Sequence, residues 1–361
     1  MTSKSTCQYV RLYLMKTVYV GLSGGVDSSV SAALLKEQGY KVVGVYMKNW
    51  SQDLPGLPCP WREDFADAKR VAVQLGIDFK VYDFENQYRE KVVDYMLDAF
   101  KAGKTPNPDI MCNQEIKFKL FLHTALEDGA DYIATGHYAE VKNGQLFMAK
   151  DQNKDQTYFL YTVPKEALQK TIFPLGGLTK PRVRQLAKKF KLVTADKKES
   201  MGICFVGKVG IKDFLKQYVD EQTGPIMDQN DRQIGAHDGA IFYTIGQRHG
   251  LEVGGGLPYY VTGKNIKKNE VYVTTDLQDE KLWNNKIKLS SAHWINGDPG
   301  KNQKLAVRTR HRAKLIPVKK LSNASNSRWI AELDEDVRAL TPGQSAVFYC
   351  GRECLGGGIV F

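Results

Sequence analysis

A β-branched run, Thr17–Leu22 (TVYVGL), passes without a linker into Ser23-Gly24-Gly25-Val26-Asp27-Ser28-Ser29, and an apolar helical stretch through Val30, Leu34 and Leu35 follows. A buried strand, a glycine turn and a helix in this order open a βαβ unit, with the turn at the carboxyl end of a strand. Glycines there let backbone N–H groups close around an anion, and the helix N-terminus adds the positive end of its dipole. The serine hydroxyls can donate to phosphate oxygens, and Asp27 is placed to hold Mg²⁺ on them. The segment lacks the Gly-Lys-Ser/Thr of a Walker loop and the G-x-G-x-x-G of a dinucleotide fold. It reads as a phosphate loop of another kind.

Alternation continues to about Ala139. Strands are expected at Lys41–Met47, Phe79–Tyr82 and Tyr132–Thr135, and helices near Phe65–Leu75, Gln87–Ala102 and Ile116–Glu127, most of them followed by Gly. This spacing predicts an α/β domain on a parallel sheet. A further helix opens at Pro181, a residue suited to a first helical position. After about Phe214 the texture turns β-rich, with runs at Ala240–Thr244, Tyr259–Thr262, Glu270–Thr274, Leu305–Thr309, Trp329–Leu333 and Ser345–Tyr349. The expected division is 1–213, 214–284 and 285–361, the last a β-barrel.

Lys+Arg 51 against Asp+Glu 40 gives a net charge of +11, which points to a polyanionic partner, nucleic acid before membrane. No apolar run approaches the roughly 18 residues of a membrane span. Six cysteines in 361 residues are too few for a disulfide scaffold, so a reducing compartment, the cytoplasm, is expected. Residues 1–14 carry Lys4 and Arg11 and no acid; they read as a loose tail, with an organelle transit segment as the alternative.

Two cysteines stand beside polar residues. Asn107-Pro108-Asp109-Ile110-Met111-Cys112-Asn113 reads as a Pro-stiffened loop before a helix beginning near Ile116, where a thiol's pKa tends to fall. Asp109 is near enough to serve as acid or base. Cys204 follows 92 residues further on, in Ser200-Met201-Gly202-Ile203-Cys204-Phe205, with Lys197 and Lys198 just before it to favour a thiolate or persulfide. Cys350 and Cys354 lack the partners of a zinc site and read as core residues; Cys7 and Cys59 have no assignment.

The segment Ser23–Ser29 resembles the signature of the PP-loop ATP pyrophosphatases. Together with Asn107–Asn113 and Gly202–Phe205 it resembles the tRNA-specific 2-thiouridylase family. Ala134–Tyr138, Lys154–Gln156, Tyr243–Arg248, Thr341–Gln344 and Cys354–Gly358 extend the likeness over nearly the whole chain. Two departures are a shorter, more Pro-rich segment at 50–62 and Arg310-His311 where the family more usually has Arg-Tyr.

The resemblance implies an ATP- and Mg²⁺-dependent enzyme that thiolates the wobble uridine of tRNA. Gly21, Leu22, Ser23, Gly24, Gly25, Val26, Asp27 and Ser28 would cradle ATP, with Met47 near the adenine and Gly136 also on the nucleotide. Asn107, Pro108 and Asp109 would contact the target base. Cys112 would be the nucleophile or resolving thiol, and Cys204 would carry the persulfide, with a Cys112–Cys204 disulfide left behind. His137, Lys154, Asp155, Gln156, Arg310, His311 and Gln344 would touch the anticodon stem-loop. A persulfide-donating sulfur-relay protein or a cysteine desulfurase would supply the sulfur.

Alternatives are another PP-loop ligase or amidating synthetase, a catalytically silent RNA-binding protein, and an iron–sulfur cluster held by Asp109, Cys112 and Cys204. Arg308, Arg310 and Arg312 alternate in a run read as strand, which would space them about 6.6 Å apart on one face for successive phosphates. Arg182, Arg184, Lys188, Lys189 and Lys191 add to the same surplus.

Overall fold

The computed structural model describes residues 15–53, 61–198, 210–251, 253–254, 256, 258–300, 303–325 and 327–361. Two compact units emerge, Met1–Arg89 with Cys112–Gly207, and Glu90–Met111 with Lys208–Phe361. Cys7, Cys59 and Cys204 lie outside the described residues, as does the tail 1–14. Among the described residues no helix is long and apolar enough to cross a membrane.

The first unit is built on β1 (Thr17–Gly21), α1 (Val26–Glu37), β2 (Lys41–Lys48), α2 (Trp61–Leu75), β3 (Asp78–Asp83), β4 (Tyr132–Ala134), the hairpin β5 (Ala139–Lys142) and β6 (Gln145–Met148), β7 (Thr171–Ile172) and α3 (Lys180–Lys189). Its sheet runs β3-β2-β1-β4-β7, with every pairing parallel. Val18, Val20 and Val45 are fully buried, which is why these strands read as continuous β-branched runs. The chain leaves β1 for β2 and β3 on one side and returns to β4 on the other, so the carboxyl ends of β1 and β4 form the switch point where open α/β sheets bind ligands.

Helix α1 is buried on both faces because its residues are small. Ala32 and Leu35 pack on the sheet, while Val26 and Val30 meet Val183, Leu186 and Ala187 of α3. The β5–β6 hairpin, an addition to the expected elements, turns at Asn143-Gly144, both at positive φ, the Asn-Gly signature of a primed turn.

In the second unit, β8 (Gly224–Met227), β9 (Gln233–His237), β10 (Tyr260–Asn265) and β11 (Glu270–Thr274) form a small sheet in the order β10-β11-β8-β9. Next, β12 (Trp283–Trp294), β13 (Leu305–Arg308), β14 (Ile316–Ser325), β15 (Arg328–Arg338), β16 (Ser345–Cys350) and β17 (Glu353–Val360) run β12-β15-β14-β13-β16-β17. Pairing of β12 with β17 closes the barrel, so no edge among these strands is left open. Its interior holds Ile287, Leu289, Val307, Trp329, Phe348 and Val360, with the Trp294 ring edge-on to Trp329 at 5.1 Å. At the seam Gly356 has φ +138°, and a Cβ there would lie 2.1 Å from the His293 carbonyl. Cys354 is buried in this wall, as expected of a core residue.

Three expectations are corrected. Ala240–Phe242 is a 3-10 turn rather than a strand, because Gly239 at φ +148° breaks the extended run before it. The arginines do not share a strand face. Strand β13 ends at Arg308, which is buried with its guanidinium 5.4 Å from the Tyr349 ring, and Arg312 has φ +63° in a turn. Finally, the helix expected near Ile116 starts eight residues earlier, at Pro108, and continues from Cys112 to Phe121 as a wider π-helix. Proline here is the first helical residue and Asn107 its cap, a role proline's fixed φ suits as well as loop stiffening.

Candidate active site

The β1–α1 loop occupies the switch point. Ser23 is exposed, and its hydroxyl lies 3.2 Å from Ser28 Oγ. Ser28 Oγ accepts from the Ser23 amide and donates to the Gly25 carbonyl, so the loop is folded before any ligand arrives. Gly25 occupies the N-cap of α1 and no side chain caps this helix end. The leading N–H groups are therefore set to receive an anion. Gly24 has φ +73°, and a Cβ there would sit 2.3 Å from the Asp64 carbonyl of α2, so only glycine fits. Just beyond the carboxyl end of β4, Gly136 packs directly on the loop: a Cβ there would lie 2.8 Å from the Ser28 nitrogen. Met47, at the end of β2, reaches the other side of the loop: its Cε is 2.9 Å from where a Cβ on Gly21 would be.

Asp27 departs from its expected role. Lys180 Nζ donates to both Asp27 oxygens at 2.8 Å, and Tyr138 Oη donates to Oδ1 at 2.8 Å. A carboxylate held by an ammonium on both oxygens does not fit a Mg²⁺ ligand in this form. Lys180, itself buried, brings a cation to the phosphate loop. Nothing in the local sequence around Lys180 signals this role beyond its place at the start of the helix that Pro181 opens. Packing of α3 on the small-residue face of α1 is what brings residues 27 and 180 together.

Several residues expected to touch RNA face inward. His137 is 8% exposed, its Nδ1 2.8 Å from Thr135 Oγ1 and its ring between Phe118 and Phe173. Asp155 is 1% exposed and accepts from the Ala149 amide and the Thr157 hydroxyl. Gln156 Oε1 accepts from the Tyr138 amide, and the Gln156 amide donates back to the Tyr138 carbonyl, which holds Tyr138 against Asp27. Lys154 is half-buried on the same bend.

Burial, with Lys117 nearby, pushes the His137 pKa well below the usual imidazole value. An unfolded imidazole takes up a proton as pH falls through about 6.5, while the buried one resists it, so stability falls on acidification below that pH. The expected slope is up to about 1.4 kcal/mol per pH unit. Urea midpoints measured across that range should fall for the parent chain and stay flatter for His137→Phe; parallel curves would remove His137 as the source.

Asn107 Oδ1 accepts from the Asp109 and Ile110 amides at 3.1 and 3.4 Å. Cys112 thus lies inside a helix and not ahead of one, and it is 2% exposed. Asn113, next to it, donates from Nδ2 to the Phe159 carbonyl at 2.9 Å, and its buried Oδ1 has no hydrogen-bond partner among the described residues. Lys197 bonds both Asp64 at 2.8 Å and Asp67 at 2.5 Å. Burial opposes its charge, yet those carboxylates outweigh it and raise the pKa. Its charge is thus engaged by Asp64 and Asp67, while Cys204, which it was expected to favour as a thiolate, lies outside the described residues.

In the second unit, Arg310 Nη2 donates to the Ala339 carbonyl at 2.8 Å and reaches the Ile245 carbonyl at 3.3 Å. Gln344 Nε2 donates to the Thr105 carbonyl at 2.8 Å. His311 is half-buried in the turn after Arg310.

Comparison with known proteins agrees with this layout. The family model described as tRNA methyl transferase HUP domain matches residues 16–208, the tRNA methyl transferase PRC-barrel domain 212–275, and the aminomethyltransferase beta-barrel domain 284–360. The tRNA-specific 2-thiouridylase MnmA of Bacillus subtilis (strain 168) is 48% identical over 350 residues, 95% of this chain and 94% of that protein. The protein of the same name from Oceanobacillus iheyensis is 48% identical over 350 residues, with the same shares covered. With a phosphate loop at the switch point, a closed C-terminal barrel and identity of this extent along the chain, the protein belongs to the tRNA-specific 2-thiouridylase family and is a tRNA-uridine 2-sulfurtransferase.

Proposed function

We propose that the chain catalyses ATP-dependent 2-thiolation of the wobble uridine of tRNA. The observation that carries this reading is the uncapped amino end of α1 ringed by Ser23, Ser28 and Lys180, a cradle for the phosphates of a nucleoside triphosphate. Although two of the matching domain descriptions name methyl transfer, that reaction has no need of such a cradle.

Carbonyl oxygen is a poor leaving group, so uridine O2 must first be activated. Attack of O2 on the α-phosphorus forms the O–P bond and expels pyrophosphate, whose developing charge the loop amides and the Lys180 ammonium stabilise. Met47 and Gly136 border the nucleotide. Asn107, Pro108 and Asp109 meet the target base, and Asp109 is the acid or base.

The terminal sulfur of a Cys204 persulfide then attacks C2, and AMP leaves. The Cys112 thiolate attacks the Cys204 sulfur, breaking the S–S bond to the transferred atom. Sulfur stays on C2, and Cys112 and Cys204 end as a disulfide that an external dithiol reduces. The persulfide comes from a sulfur-relay protein or a cysteine desulfurase.

Lys154 of the first unit and Arg310 and His311 of the second are read as tRNA contacts, in which charge positions the RNA and the splayed anticodon loop supplies specificity. The cluster alternative of Asp109, Cys112 and Cys204 predicts iron and visible absorbance in anaerobically purified protein. Incubation of tRNA with magnesium-ATP and a persulfide source, followed by mass analysis of its nucleosides, should yield 2-thiouridine; ATP-independent thiolation or none would overturn the proposal.

A further inference from the structure

Two sequence segments, Tyr243–Arg248 and Thr341–Gln344, have no part in the chemistry above, and both converge on one short stretch of backbone. Thr105 N donates to the Pro342 carbonyl at 2.8 Å. Gln344 Nε2 returns a bond to the Thr105 carbonyl at 2.8 Å and lies 3.5 Å from that of Pro106. Thr105 Oγ1 is 3.3 Å from Thr244 Oγ1. Gly343 has φ +93°, and a Cβ there would fall 2.7 Å from the Thr105 nitrogen and 2.9 Å from Lys104 Cβ. Glycine is therefore the residue that lets the barrel turn close on this backbone.

The turn is braced from behind. Thr341 Oγ1 donates to the Ala339 carbonyl at 2.9 Å, and the Arg310 guanidinium bonds the same carbonyl. The gripped residues immediately precede Asn107, whose side chain caps the helix carrying Asp109.

We propose that the Thr341–Gln344 turn is a clamp on the base of the Asn107–Asp109 loop, and that Gln344 is a positioning residue acting through Thr105 and Pro106 before RNA binds. This rests on the reading of Asn107–Asp109 as the target-base loop. A side-chain amide held by two successive carbonyls fixes where the following helix starts, and with it the direction of Asp109. Misplacement of a reacting group by about 1 Å can cost about a hundredfold in rate, so a loosened clamp lowers turnover while leaving the RNA-binding surface in place.

Gln344→Met keeps the side chain's length and removes its donor; Gly343→Ala pushes the backbone apart from the other side. Both are expected to lower single-turnover thiolation about tenfold or more, with tRNA Kd held within about twofold of the parent. In the RNA-free protein, hydrogen exchange of the 103–111 segment should accelerate in Gln344→Met while the barrel strands exchange as in the parent. Unchanged exchange with a raised Kd and normal turnover would overturn the clamp and leave Gln344 a direct RNA contact. Unchanged exchange and unchanged turnover would overturn it as well. Should Gly343→Ala fail to fold, Gln344→Met decides alone. If the parent chain makes no 2-thiouridine, the reading of the reaction fails, whereas the exchange comparison still decides the clamp.

Discussion

Cys204→Ser is expected to bind tRNA as tightly as the parent chain and to form no 2-thiouridine, a loss of about 10³-fold or more. A hydroxyl cannot hold a sulfane sulfur, so no persulfide forms and the activated uridine has nothing to react with but water. Cys112→Ser should fail at a different point. Persulfide still loads on Cys204 and its outer sulfur still attacks C2, but no thiolate is left to cleave the S–S bond, so the variant should stall as a dithiol-releasable Cys204–tRNA disulfide; without tRNA, protein mass analysis should find Cys204 heavier by one sulfur atom. The pair of variants separates this route from its rivals. An amidating ligase on the same loop would be indifferent to Cys204→Ser, and thiolation by that variant at the parent's rate would remove the persulfide assignment. Parent protein holding iron, with both variants losing it, would favour the cluster.

Lys180→Met should cost as much in activity for a different reason. Its ammonium bonds both oxygens of Asp27, with 11% and 32% of the two side chains exposed. Removing the cation leaves a partly buried carboxylate beside a site built for phosphates, so both the loop and its ligand are repelled. Loss of one preorganised charge at a developing anion typically costs about 10²–10³ in rate, and weaker ATP binding adds to that. Stability also falls in this variant. Adding Asp27→Asn distinguishes the two effects: the double variant regains stability because no charge is stranded, while pyrophosphate release stays low. Recovery of pyrophosphate release in the double variant would make the pair a structural contact only. Thermal midpoints and pyrophosphate release, measured on the two variants and the parent, decide the matter.

The sequence by itself determined the α/β class, the phosphate loop and the β-rich second half. Each of these is local: a β-branched run, a Gly-Gly turn or a short alternating strand carries its signal within a few residues. The Asn143-Gly144 hairpin carries an equally local signal, and Pro108 is legible in two ways, as a loop stiffener and as the first residue of a helix.

Tertiary structure alone decided which groups meet. Lys180 stands 153 residues from Asp27, and no local pattern announces that an ammonium will bond both oxygens of that carboxylate. His137 and Asp155 carry polar side chains that read as RNA contacts, yet close packing around Phe118, Phe173 and Thr157 turns both inward. Gln344 reaches Thr105 across 239 residues. The physical reason is common to all three. Propensity and periodicity are written in neighbouring residues, whereas a buried charge or donor takes as partner whatever the packing of distant elements brings within hydrogen-bonding distance.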